Sequence, residues 1–119
     1  MGDEDEVRRC SDRYEAALLA HDVSILNELF WTDPSVVRFG VADVQWSGDD
    51  VAAWRASAPA VDPQRVITSR RVSALAPGVV AVDLTFRDSN GTEGRQSQTW
   101  LRTATGWRIA RAHVSTLPR

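Results

Sequence analysis

A chain of 119 residues has room for one hydrophobic core, so the expectation is a single domain over 1–119. Its 43% hydrophobic and 25% charged residues exclude a disordered chain, and a net charge of −2 lacks the electrostatic footprint of a nucleic-acid binder. All 14 basic residues are arginine, which excludes Schiff-base or lysine general-base chemistry, and the single cysteine, Cys10, excludes an intrachain disulfide.

From about 4 to 20 the spacing predicts a helix. Val7, Cys10, Tyr14, Ala17 and Leu18 share one apolar face, with Arg8, Arg9, Asp12 and Glu15 off it. His21-Asp22 breaks the pattern. Asp22 is a candidate N-cap for a short helix, Val23 to Phe30, that buries Ile25, Leu26, Leu29 and Phe30. Asp33-Pro34 ends it, because the residue before proline avoids the helical region. Two short strands follow, Val36 to Phe39 and Asp43 to Trp46, joined by a turn containing Gly40. Ser47 then reads as the N-cap of a third helix running to about Ala58, with Arg55 on its exposed side, either closing over the pocket or solvated. Pro59 and Pro63 bracket a connector.

The remainder is strand-rich. Arg65 to Leu75, Val79 to Arg87, Gly94 to Arg102 and Trp107 to Ser115 form an antiparallel meander, with turns at Pro77-Gly78, Asn90-Gly91 and Thr103 to Gly106. The order is α+β: a cone-shaped, curved antiparallel sheet wrapped around a long N-terminal helix, with two shorter helices. Such a sheet encloses a cavity open at one end, where a small ligand enters. The outer sheet face, through Val80, Val82 and Leu84 or their opposite-face partners, is expected to pair with a second copy, so a homodimer is predicted. No run approaches a membrane span, and the acidic stretch Asp3 to Glu6 is the opposite of a signal-peptide start. A cytoplasmic protein without membrane or nucleic-acid partners is expected.

Several polar residues fall where local patterns point inward. Arg38, between Val37 and Phe39, offers a planar fork for a carboxylate, or an ion pair with Asp33 or Asp43. Tyr14 on the helix stripe needs a partner for its hydroxyl, either a ligand with which it exchanges a proton or a backbone carbonyl. Gln96 and Gln98 share a strand face with Trp100, and their amides suit a urea-like or carboxylate ligand if that face is inner. His113 shares the face of Trp107 and Ile109 and is a candidate base, or a histidine bonded within the core. Trp31 and Trp54 are candidates for the cavity wall. Arg70 and Arg71 lie on opposite strand faces, and Arg71 is carried as the candidate ligand contact. Cys10 reads as a small buried hydrophobe rather than half of a nucleophilic pair with His113. With two histidines and no Cys-x-x-Cys or His-x-His spacing, no metal site is predicted.

The blocks Arg-Tyr-Glu-Ala-Ala-Leu, Leu-Phe-Trp-Thr-Asp-Pro, Val-Arg-Phe-Gly, Gly-Arg-Gln-Ser-Gln-Thr-Trp and Gly-Trp-Arg-Ile-Ala-Arg-Ala-His-Val-Ser are similar to those of the AtzH-like family, which includes the HpxZ proteins. That family lies within the SnoaL-like, or nuclear transport factor 2-like, superfamily. The resemblance implies a cofactor-free enzyme of nitrogen-compound catabolism that decarboxylates or deamidates a carboxylated urea or a related small carboxylate, beside an amidase partner. It places catalytic roles on Tyr14 and Arg38, leaving Gln96, Gln98, His113, Trp31 and Arg71 as candidate substrate contacts.

Overall fold

The computed structural model describes residues 2–118. Helices α1 (Asp3–Ala20), α2 (Val23–Leu29) and α3 (Gly48–Arg55) accompany strands β1 (Val37–Phe39), β2 (Val44–Gln45), β3 (Val66–Ala76), β4 (Val79–Arg87), β5 (Glu93–Thr103) and β6 (Gly106–Thr116). The six strands form one curved, unclosed sheet in the order β2-β1-β6-β5-β4-β3. All neighbours are antiparallel except β1 and β6, which run parallel with Arg38 opposite Ala112.

The capping residues act as their chemistry suggests. Asp22 accepts from the Ile25 N–H at 3.2 Å and Ser47 from the Asp50 N–H at 3.0 Å, each satisfying an orphan donor at a helix start. His21 closes α1 in the left-handed region at φ 52°. Gly91, at φ 88°, makes the β4–β5 turn, where an L side chain would be strained.

The core lies between α1, α2 and the inner face of the sheet. Val7, Leu26, Leu29, Val36, Val80 and Trp100 are among its buried members. Val80, Val82 and Leu84 all point into it, so they do not form an outer surface for a second copy. Their outward neighbours Ala81, Asp83 and Thr85 are small or polar.

Two features bend the sheet and reset its faces. On β6, Trp100 pairs with Ile109 and Thr99 with Arg111, which leaves Ala110 as an extra residue. Such a bulge flips the alternation beyond it. Ile109, Ala110 and Ala112 are inside, and Arg111 and His113 are outside. On β3, Thr68 and Leu75 fall at register shifts against β4, and that strand curls over α1, with Arg70 reaching Asp12 at 2.6 Å.

Candidate functional site

One cavity of about 320 Å³ lies between α1, α3, the 56–65 connector and the inner face of the sheet. Tyr14 and Leu18 reach it from α1, Arg38 from β1, and Trp54 and Arg55 from α3. Phe86, Gln96 and Val114 form the sheet side, and Arg65 reaches in from the end of the connector, just before β3. Asp62 on the connector and Asp88 on the β4–β5 turn also line it.

Arg38 is buried, with 8% of its surface exposed. Its Nη1 donates to Asp43 Oδ1 at 2.6 Å and to Gln45 Oε1 at 2.9 Å. Gln45 donates in turn to the same Asp43 oxygen at 2.9 Å, so β2 and the β1–β2 turn aim the guanidinium from behind. The guanidinium carbon sits 3.7 Å from the centre of the Trp54 ring, a stacked cation–π contact. Burial pulls the Arg38 pKa below the ordinary arginine value, Tyr14 and Asp43 pull it back up, and the neighbouring Arg55 charge lowers it. The group stays a cation at physiological pH.

Tyr14 is 3% exposed, and its Oη accepts from Arg55 Nη2 at 3.0 Å. An oxygen that is already accepting keeps its own O–H to donate, and the cavity lies beside it. Phe30 meets the Tyr14 ring edge-on at 6.1 Å and fixes its plane.

The next residue on α1 builds a second network. Glu15 accepts from Arg65 Nη2 at 3.1 Å and from Gln96 Nε2 at 2.9 Å, and Arg65 also donates to Gln96 Oε1 at 3.3 Å. The Arg65 guanidinium stacks 3.8 Å over the Phe86 ring. Burial pushes the Glu15 carboxyl above its usual value, while Arg65, Gln96 and Arg70 pull it down.

Of the residues singled out from sequence, the fold brings Tyr14, Arg38, Gln96 and Trp54 to one cavity. Gln98 is buried on the same strand face, but its Oε1 accepts from Trp100 Nε1 at 3.1 Å and it does not line the cavity. His113 is displaced by the Ala110 bulge to the outer face, where it meets the edge of Phe39 at 5.7 Å. Arg71 is also exposed on the outer face, because Arg70 is the member of the pair that turns toward α1. Trp31 packs half-buried against the core and does not line this cavity; it borders a separate depression with Asn27 and Arg108, and its backbone N–H is held by the Ile109 carbonyl at 3.0 Å. Cys10 is half-buried on α1, away from His113 on the outer sheet face.

Arg55, Arg65 and Glu15 were hidden by their charge. Arg55 follows Val51 by four residues and so shares its buried face, contrary to the exposed position expected for it. Val7, Ser11, Glu15 and Leu18 are spaced four, four and three apart, as good a helical stripe as the apolar one beside it, and all four are buried. Nothing in the local pattern around Arg65 marks it as an inward residue. Among the described residues, no group of three or more His, Cys, Asp or Glu side chains comes together as a metal site. No described helix is long and apolar enough to cross a membrane.

The AtzH-like family profile matches residues 4–119. A cystatin-like fold protein from Burkholderia xenovorans is 34% identical, with a TM-score of 0.92 over 98% of this chain and 92% of that one. A DUF3225-family protein of unknown function from Pectobacterium atrosepticum is 31% identical, with a TM-score of 0.91 over 99% and 94% of the two chains. A nuclear transport factor 2-like superfamily protein from Salmonella enterica, at 18% identity and a TM-score of 0.79 over 98% and 92%, shares the fold alone. No functionally curated protein matches the chain. The chain belongs to the AtzH-like family and carries that family's sequence on a nuclear transport factor 2-like fold.

Proposed function

We propose that the protein is a cofactor-free enzyme that removes a carboxyl or amide group from a small carboxylated urea or a comparable amide-bearing carboxylate. The observation that carries this reading is that a phenol and a guanidinium line one small cavity, with the phenol oxygen already accepting from Arg55. In the reading, Arg38 anchors a carboxylate through the edge of its fork not taken by Asp43 and Gln45. Tyr14 donates a proton to the reacting nitrogen. Gln96 offers an amide to the urea portion.

For loss of CO2 from an N-carboxylate the balance is simple. The C–N bond breaks, CO2 leaves, and the electron pair stays on nitrogen, which takes the Tyr14 proton. Water then returns a proton to Tyr14, and the hydroxide left behind combines with the CO2 as bicarbonate. Hydrolytic deamidation instead adds water across a C–N bond and releases ammonia. Supplying ¹³C-carboxyurea and following labelled CO2 and ammonia together separates the two routes. Wild-type protein is expected to release one of these products, and a Tyr14→Phe, Arg38→Ala double variant to release neither. Equal turnover by the two proteins would sink the assignment. Binding of carboxyurea without any product would leave an accessory, ligand-holding protein in place of an enzyme.

A further inference from the structure

Arg55 is the one buried guanidinium of the cavity that the fold leaves without a counter-ion among the described residues. The other two are neutralised within the chain, Arg38 by Asp43 and Arg65 by Glu15. Arg55 is 5% exposed, yet among the described residues its side chain donates one hydrogen bond, to the Tyr14 hydroxyl oxygen. Its Nε is fully enclosed and has no acceptor. The group leans on the Trp54 ring at 4.6 Å, the same indole that carries Arg38 at 3.7 Å, so two cations share one aromatic platform.

This arrangement is unfavourable by itself. A buried charge without a partner loses its hydration, and a second cation beside it adds repulsion. The nearby acids do not relieve it. Asp43 is engaged by Arg38 and Gln45. Asp62 holds the Ser89 hydroxyl at 2.6 Å and the Gln64 N–H at 2.9 Å. Asp88 lines the cavity from the hairpin turn and makes no ion pair with Arg55. A small carboxylate supplies what is missing: a negative charge and two coplanar oxygens for a planar fork.

Resting on the reading of this cavity as a carboxylate site, we propose that Arg55 is the primary anion-binding residue, gripping the ligand carboxylate while its Nη2 holds Tyr14 in place, with Arg38 as the second donor. The site then selects anionic over neutral ureas, and selection is set by α3 rather than by the strand that carries Arg38.

The test compares wild type with Arg55→Gln, which keeps an N–H donor for Tyr14 but removes the charge, and with Arg55→Lys, which restores charge without the fork. Each protein is titrated calorimetrically with ureidoacetate, with its neutral counterpart ureidoacetamide and with acetate and formate, and melted with and without each compound. Wild type is expected to bind the anion in preference to the amide. Arg55→Gln is expected to bind the anion about tenfold to a hundredfold more weakly, the loss of one charged hydrogen-bonded contact, and to lose the preference. Its unliganded melting temperature is expected to be no lower than that of wild type, since an uncompensated charge has been removed. Arg55→Lys should recover part of the preference.

Retention of the wild-type preference in Arg55→Gln overturns the inference and leaves the cavity a carboxylate site served by Arg38. A large drop in the unliganded melting temperature of both variants also overturns it, by assigning Arg55 a structural role. Indifference of wild type to ureidoacetate, acetate and formate alike removes both this inference and the proposed function. Arg55-dependent binding without turnover leaves the inference standing and removes only the enzymatic reading.

Discussion

Replacing Arg65 with methionine should be among the most damaging single changes to stability in this protein, because it leaves a buried carboxylate without its cation. In the folded chain, the Arg65 and Glu15 side chains are 5% and 10% exposed and meet at 3.1 Å. Methionine roughly fills the stem volume but leaves Glu15 with Gln96 as its direct hydrogen-bond partner. Breaking a buried pair from one side costs about 3–5 kcal/mol. The lost stacking on Phe86 adds about 0.5–1 kcal/mol. At about 2.1 cal/mol/K per residue, a chain of 119 residues has an unfolding entropy near 0.25 kcal/mol/K. The melting temperature should therefore fall by about 14–24 °C at neutral pH.

The pH dependence gives a second, independent check. Burial already raises the Glu15 carboxyl, and Arg65 is the largest influence opposing it. A carboxyl whose folded pKa lies above its unfolded one adds stability that is complete below the unfolded pKa and disappears as pH rises through the folded pKa. Removing Arg65 raises the folded pKa further, so the variant's deficit should be greatest at neutral pH and shrink toward about pH 5. Circular-dichroism melts across that range measure it, and adding Glu15→Gln to Arg65→Met should recover most of the loss at neutral pH. A deficit under about 1 kcal/mol at neutral pH, or one that grows on acidification, refutes the reasoning.

Three further outcomes follow from single contacts. Gly94→Ala places a Cβ 2.2 Å from the Phe86 ring, which is itself pinned beneath Arg65; urea denaturation should show about 1–3 kcal/mol of destabilisation with little change in slope. Burial pushes the Cys10 thiol up, with Arg108 and Arg13 pulling it down, so a disulfide reagent at about pH 8 should label it slowly in the folded protein and rapidly after unfolding. Tyr14→Phe removes the oxygen that accepts from Arg55; stability should fall by about 1 kcal/mol, whereas turnover should fall by about 10²–10⁴-fold, and loss of stability alone would assign the hydroxyl a packing role.

Much of the fold was legible because its punctuation is chemical. Asp22 and Ser47 cap helices by accepting from the backbone three residues on, and Asn90-Gly91 supplies the positive φ of a hairpin turn. Part of the site was legible for the same reason: Tyr14 and Gln96 lie on stripes whose apolar members, Leu18 and Trp100, announce the inner face. What was hidden has two physical sources. A single extra residue at Ala110 reverses the alternation of β6, and nothing in Trp107-Arg108-Ile109-Ala110-Arg111 marks where it falls, so His113 was placed inside when it lies outside. Glu15 was set off the apolar face and Arg55 on the exposed side of its helix, although both hold buried helical positions by spacing alone. Their burial depends on partners brought from 50 residues away for Glu15 and 41 for Arg55, separations that local pattern does not register.

Helix α1 explains how one short segment serves both the core and the cavity. Consecutive residues on a helix point about 100° apart, so burying both Tyr14 and Glu15 requires a surface that wraps the helix rather than a flat face. The bulged, curled sheet on one side and α3 on the other provide that wrap. The two neighbours then meet different arginines. Glu15 meets Arg65 and completes a neutral pair that belongs to the fold, whereas Tyr14 meets Arg55 and leaves a cation open. Arg65→Met and Arg55→Gln therefore differ in sign for the unliganded protein, although both remove a buried guanidinium from the same cavity. The first strands a carboxylate, and the second relieves a charge. Melting the two variants side by side tests that division directly, and equal destabilisation by both would mean that the cavity's arginines serve the fold alone.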